Sequence, residues 1–113
     1  MRSVFCPLKK EWFALVAVGR KTWEFRSTAS PVGRAILSRT PPFPIRFREG
    51  YRGESVTAVA EEVKVFSSPE EIPEDILWHG CATAEKLRGL GMTGKVVAIR
   101  FTLTRGDYGR WLK

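Results

Sequence analysis

The sequence predicts a small, strand-rich α+β domain, and three observations predict it. Ser55–Phe66 (SVTAVAEEVKVF) and Lys95–Thr104 are long segments rich in β-branched residues. A stretch near the N-terminus repeats apolar residues at helical spacing. Helical and extended segments follow the order β-α-β-β-β-α-α-β, which lacks the strict alternation of a parallel sheet. At 113 residues the chain, 1–113, reads as one domain with a single modest core.

Taken in order, residues 3–6 form a short first strand, and Pro7 suits the first turn of a helix. Leu8, Trp12, Leu15 and Val16 make one apolar stripe through 8–18, with Lys9, Lys10 and Glu11 off it. Gly19 falls where a left-handed C-cap is expected. Residues 22–26 form a second strand, and the small residues of 27–33 (STASPVG) a loop. Residues 34–38 (RAILS) form a short strand. Pro41, Pro42 and Pro44 remove backbone donors, so 40–44 reads as a rigid connection. Ile45–Arg52 reads as an irregular edge or flap carrying aromatic and guanidinium groups.

In the 55–66 strand the apolar parity shifts through Glu61 and Glu62, which predicts a bulge. Ser68 with Glu71 is a helix-start signal, although Pro73 shortens that helix or displaces its start. Ile72, Ile76 and Leu77 are its buried side. A turn at His79-Gly80 leads to a second short helix from Thr83, with Leu87 and Leu90 inward. In the last strand Val97, Ile99, Phe101 and Leu103 alternate with Val96, Ala98, Arg100 and Thr102. Trp111, near the end, is expected to pack against the domain, and the nearby Arg-Gly-Asp tripeptide reads as chance.

Composition narrows the function. No apolar run approaches the roughly 18 residues that span a bilayer, so no membrane association is expected. The first residues do not read as a signal peptide, and the expected location is cytoplasmic. Cys6 and Cys81 form no CxxC pair and are expected to be free thiols. With His79 they offer only three candidate ligands, so neither a metal nor any other cofactor is expected. The net charge of +7 is uneven. Residues 20–52 hold eight basic and two acidic residues; residues 53–94 hold three basic and eight acidic. Such polarity suits a polyanionic partner at the basic part, and a plain solvated surface accounts for it equally well. The chain contains neither Asn nor Gln, so it cannot read adenine with the usual bidentate amide.

The densest constellation is Gly19–Arg26, GRKTWEFR. On a strand, Thr22, Glu24 and Arg26 share one face while Trp23 and Phe25 share the other. The aromatic pair can enter a core, and the polar set, with Lys21 at the strand entrance, faces water, a cleft or a ligand.

Gly19-x-Lys21-x-x-Glu24-x-Arg26 resembles the GxKxxExR signature of the ASCH domain family, within the PUA-like superfamily. The preceding helix and the long strands extend the resemblance over roughly residues 3–104, and it is sharp over 19–26. The Pro- and Arg-rich segment 40–52 looks enlarged relative to the family. The resemblance implies a small PUA-like mixed β-barrel flanked by short helices. It also implies RNA or a nucleotide-like molecule as partner, in a cleft lined by the motif.

On that reading Lys21, Thr22, Glu24, Arg26, Arg46, Arg48 and Tyr51 are the candidate binding residues. Phe47, Tyr51 or Trp78 would stack a base. The alternative is a hydrolase acting on a nucleoside or RNA, resembling the N4-acetylcytidine amidohydrolases or a ribonuclease. Lys21 and Glu24 would then be catalytic. The family's Lys is kept as Lys21, but Glu24 stands where the amidohydrolases carry Thr. His79, Glu74 or Asp75 lies near the expected position of the third residue. In a variant mechanism Glu24 is the base, Lys21 or Arg26 stabilises developing charge, and His79 is the acid. A lone His in a Trp-His-Gly turn reads more readily as a structural turn residue.

Overall fold

The computed structural model describes residues 2–104. Its elements are β1 (Val4–Leu8), α1 (Lys10–Ala17), β2 (Trp23–Ser27), α2 (Pro31–Leu37), β3 (Phe43–Glu49), β4 (Ser55–Phe66), a 3-10 turn (Pro69–Glu71), α3 (Glu74–His79), α4 (Ala84–Gly89) and β5 (Val96–Leu103). The five strands form one mixed sheet in the order β1-β3-β4-β5-β2. Only the β1–β3 pair is parallel. The sheet is curled into a half-barrel, an α+β architecture consistent with a PUA-like barrel.

The two faces of the sheet explain the strand pattern. One face buries Cys6, Ile45, Phe47, Val56, Ala58, Ile99 and Phe101 against Phe13 and Val16 of α1 and Ile36 of α2. The other face, at the β2–β5 end, buries Trp23, Phe25, Val96 and Ala98 under Ile76 of α3 and Leu87 of α4. Strand β5 is therefore covered on both sides, which is why it is almost continuously apolar. The bulge expected in β4 is present, with a register shift between Ala60 and Glu62. It lets both Glu61 and Glu62 reach Arg100, at 3.0 and 3.2 Å.

Several elements differ from the sequence reading. Pro7 lies in β1, opposite Arg48, and the strand continues to Leu8, whose carbonyl accepts a 2.8 Å bond from the Gly50 N–H. An edge strand tolerates Pro because one side of it makes no ladder. The helix thus starts at Lys10, and its buried face is Phe13, Val16 and Ala17, with Trp12 only flanking it. Residues 34–38 are not a strand but part of α2. Ser30 caps that helix, accepting from the Gly33 N–H at 3.0 Å, and Pro31 opens its first turn. The Ser-Pro pair carried that signal and outweighed the aliphatic run.

The 45–52 segment is no flap. Strand β3 runs between β1 and β4, and Pro44 fits because β1 pairing begins only at Ile45. Ser68 does not cap a helix, and Pro73 displaces the start of α3 to Glu74. Leu90 is exposed rather than inward. Trp111 and the Arg-Gly-Asp tripeptide lie outside the described residues.

Removing the Ser30 hydroxyl leaves an N–H of the first turn of α2 without its acceptor. Ser30→Ala is expected to lower unfolding free energy by about 1 kcal/mol. Urea denaturation read by circular dichroism checks this; an unchanged midpoint would show the cap to be idle.

Candidate functional site

Helix α1 ends at Ala17, Val18 caps it, and Gly19 takes φ +79°, a conformation that costs a glycine little. The N–H groups of Arg20 and Lys21 both donate to the Leu15 carbonyl at 3.0 Å. The Thr22 N–H donates to the His79 carbonyl at 2.8 Å. The chain entering β2 is thus pinned to the ends of α1 and α3, and Lys21 turns inward.

Among the described residues, Lys21 and Glu24 are the two buried charged residues, at 2% and 6% exposure. Lys21 Nζ lies 3.1 Å from Glu24 Oε1 and donates to the Gly80 carbonyl at 2.5 Å. The rings of Trp12 and Phe25 flank it, with centroids at 5.2 and 5.4 Å. Arg26 Nε donates to Glu24 Oε2 at 2.9 Å, and its Nη2 donates to the Pro7 carbonyl at 2.6 Å. Strands β1 and β2 are the two outer strands of the sheet. Arg26 therefore spans from one rim of the half-barrel to the other with a side chain instead of a ladder.

Gly80 is needed for this arrangement. A Cβ there would lie 2.2 Å from Phe25 Cε2, so only glycine brings the carbonyl close enough to receive Lys21.

Lys21, Glu24 and Arg26 open together onto a cavity of about 260 Å³. Its remaining walls include Lys9, Trp12, Phe25, Leu87 and Met92. Burial acting alone would raise the Glu24 pKa. The ammonium of Lys21 and the guanidinium of Arg26 outweigh it and hold the carboxyl below its ordinary range. Glu24 is thus a fixed anion and a weak base. Two acceptors occupy Lys21, which leaves one of its three donors for a ligand. The nearby Cys6 thiol is pushed up to about 12, chiefly by burial and then by the Glu24 carboxylate. It is an inert core thiol.

The other candidate residues are not among those that line the cavity. Arg46 and Arg48 alternate with buried Ile45 and Phe47 and so point away from the barrel interior. Tyr51, 76% exposed, sits in the turn after β3, its ring 6.0 Å from Phe5. Arg48 lies over the same Phe5 ring at 6.0 Å. Thr22 and His79 border a shallow polar groove with Glu62 and Arg100 instead of the cavity. His79 Nδ1 is 2.8 Å from the Asp75 carbonyl, and its own carbonyl anchors Thr22, the role of a structural turn residue. Asp75 borders the same groove, and Glu74, in the first turn of α3, does not line the cavity. Phe47 is wholly buried and cannot stack a ligand.

Sequence reasoning missed Trp12 and Lys9 as walls, because the helix was expected to start earlier and Trp12 was placed in its core stripe. The Gly80 carbonyl carries no side-chain signal at all.

These features define a small α+β half-barrel whose rims are joined by an Arg–Glu–Lys chain. Known structures share the fold. The crystal structure of hypothetical protein PH0355 superposes with a TM-score of 0.66 at 18% identity, over 88% of this chain and 97% of that one. The crystal structure of protein EF3133 from Enterococcus faecalis V583, of the family DUF984, gives 0.64 at 14%, over 92% of this chain and 77% of that one. At such identities the likeness is one of fold alone. No protein-family model and no curated protein matches the chain. No helix among the described residues is long and apolar enough to cross a membrane.

Proposed function

We propose that this chain is an ASCH-type domain that binds RNA or a nucleotide-like ligand in the cavity lined by Lys21, Glu24 and Arg26. The observation that carries the reading is the convergence of those three groups on one hollow with an aromatic wall. The cavity lies just under the roughly 300–1,000 Å³ usual for small-molecule sites, which suits one base or nucleoside. Trp12, only partly buried, offers its ring to a planar ligand. Glu24 can accept from a base amino group or a ribose hydroxyl, and the free donor of Lys21 can meet a carbonyl or phosphate oxygen.

The catalytic alternative asks Glu24 to take up a proton. A carboxylate held below its ordinary range does this poorly near neutral pH. Binding is therefore the reading that the electrostatics favour.

Trp12 is the decisive residue to change, since it lines the cavity yet only flanks the core. Trp12→Ala is expected to weaken binding of the preferred ribonucleoside monophosphate by about tenfold, the weight of one stacked base. Titration calorimetry with the four ribonucleoside monophosphates checks it. If none of the four binds the wild-type protein at millimolar concentration, the base-pocket reading fails.

A further inference from the structure

A second recess adjoins the cavity. It is bordered by Leu15, Arg20, Trp78, Cys81, Ala82 and Lys86. Trp78 is 66% exposed, although one face of its indole is already covered by the Arg20 guanidinium, 4.9 Å from the ring centroid. The indole is thus held in place on one face and open to solvent elsewhere. Its neighbours Arg20 and Lys86 are cations, and among the described residues no carboxylate borders the recess.

The recess lies beside the cavity. Ala82 lines both, and Lys86 Nζ stands 5.3 Å from the ring of Trp12, which walls the cavity. A chain leaving the cavity past Trp12 would meet Lys86 and then the open face of Trp78.

We infer that this recess takes the phosphate and neighbouring base of a single-stranded RNA whose first base occupies the cavity. Lys86 contacts the linking phosphate, and the neighbouring base stacks on Trp78, stiffened from behind by Arg20. The inference rests on the base-pocket reading and extends it from a nucleotide to a strand. The chemistry is that of single-strand recognition elsewhere: a cationic track with aromatic platforms at intervals. A duplex would not serve, because its bases are stacked and unavailable.

The test compares two probes, the four ribonucleoside monophosphates and a labelled hexaribonucleotide pool of random sequence. Wild-type protein should bind the hexamer at least about tenfold more tightly than the best monophosphate, given the weight of one further stacked base. Trp78→Ala should remove that advantage and leave monophosphate affinity within twofold. Lys86→Ala should weaken the hexamer and reduce the slope of log affinity against log salt by about 0.7, one single-strand phosphate contact. Both side chains are exposed, so both variants should keep the wild-type circular dichroism spectrum. Equal affinity for hexamer and monophosphate, or a Trp78→Ala protein that binds the hexamer like wild type, overturns the strand path while the base pocket stands. Hexamer binding that Trp78→Ala abolishes, with no monophosphate bound at all, upholds the recess and removes the base pocket. Binding of neither probe removes both.

Discussion

Glu24→Gln is expected to cost about 3–5 kcal/mol of folding stability, the usual loss when one partner of a buried ion pair is removed. Glu24 is the shared acceptor of Lys21 and Arg26, and Lys21 is only 2% exposed. Glutamine nearly keeps the shape but removes the charge, so the ammonium is left in the interior with the Gly80 carbonyl and two aromatic rings for company. Arg26, with a fifth of its side chain exposed, rehydrates more readily than Lys21, at 2%. Urea unfolding at neutral pH gives the number. A loss below about 1 kcal/mol would mean that the carboxylate does not compensate the lysine. Adding Lys21→Met to Glu24→Gln should recover part of the loss, because the uncompensated cation is then gone.

The same residue fixes a pH dependence. The Glu24 pKa is lower in the folded protein than in the unfolded chain, where it is near 4.3. Its contribution is therefore fully present above that value and is lost as pH falls through the folded one. Wild-type stability should fall on acidification below about pH 4.5. The E24Q protein should show a shallower acid limb, and parallel limbs would assign the acid sensitivity to other carboxylates. Glu70 is the natural comparison, held to about 2 by its hydrogen bonds from Arg88, but that pair is fully exposed and its weight is small.

Phe47→Ala is the second large effect, with an expected loss of about 3–5 kcal/mol from lost burial and the cavity left behind. Phe47 has no exposed surface, and its ring packs on Phe101 at 4.5 Å between centroids. A domain of this size has about 5–15 kcal/mol in all, so the variant should be close to unfolding at 37 °C. Tyr51→Ala, four residues on and exposed, should change stability by no more than about 0.5 kcal/mol. Comparable losses for the two variants would contradict the placement of Phe47 inside and Tyr51 outside.

That contrast shows what was legible beforehand. In Ile45–Tyr51 the aromatic and basic residues alternate, and alternation states only that they occupy opposite faces. Which face is buried depends on the strand's neighbours. Flanked by β1 and β4, β3 puts Phe47 in the core and sends Arg46 and Arg48 to the opposite face. The reading of 34–38 as a strand failed for a similar reason. Ala-Ile-Leu suits either state, and the Ser30-Pro31 cap settled it locally.

Several features were determined by sequence alone, because they depend on near neighbours. The β-branched, almost continuously apolar run fixed β5, the Glu61-Glu62 pair fixed the bulge in β4, and Gly19 fixed the end of α1. The spacing of Lys21, Glu24 and Arg26 set Glu24 and Arg26 on one strand face with Lys21 beside them. Only the tertiary structure decided that the three meet over a hollow. It did so by bringing Trp12 from α1, the Pro7 carbonyl from the far rim and the Gly80 carbonyl from the end of α3 to one place. Two of those three partners are backbone atoms. A peptide carbonyl has no side-chain identity for a sequence to record, and folding alone sets where it points.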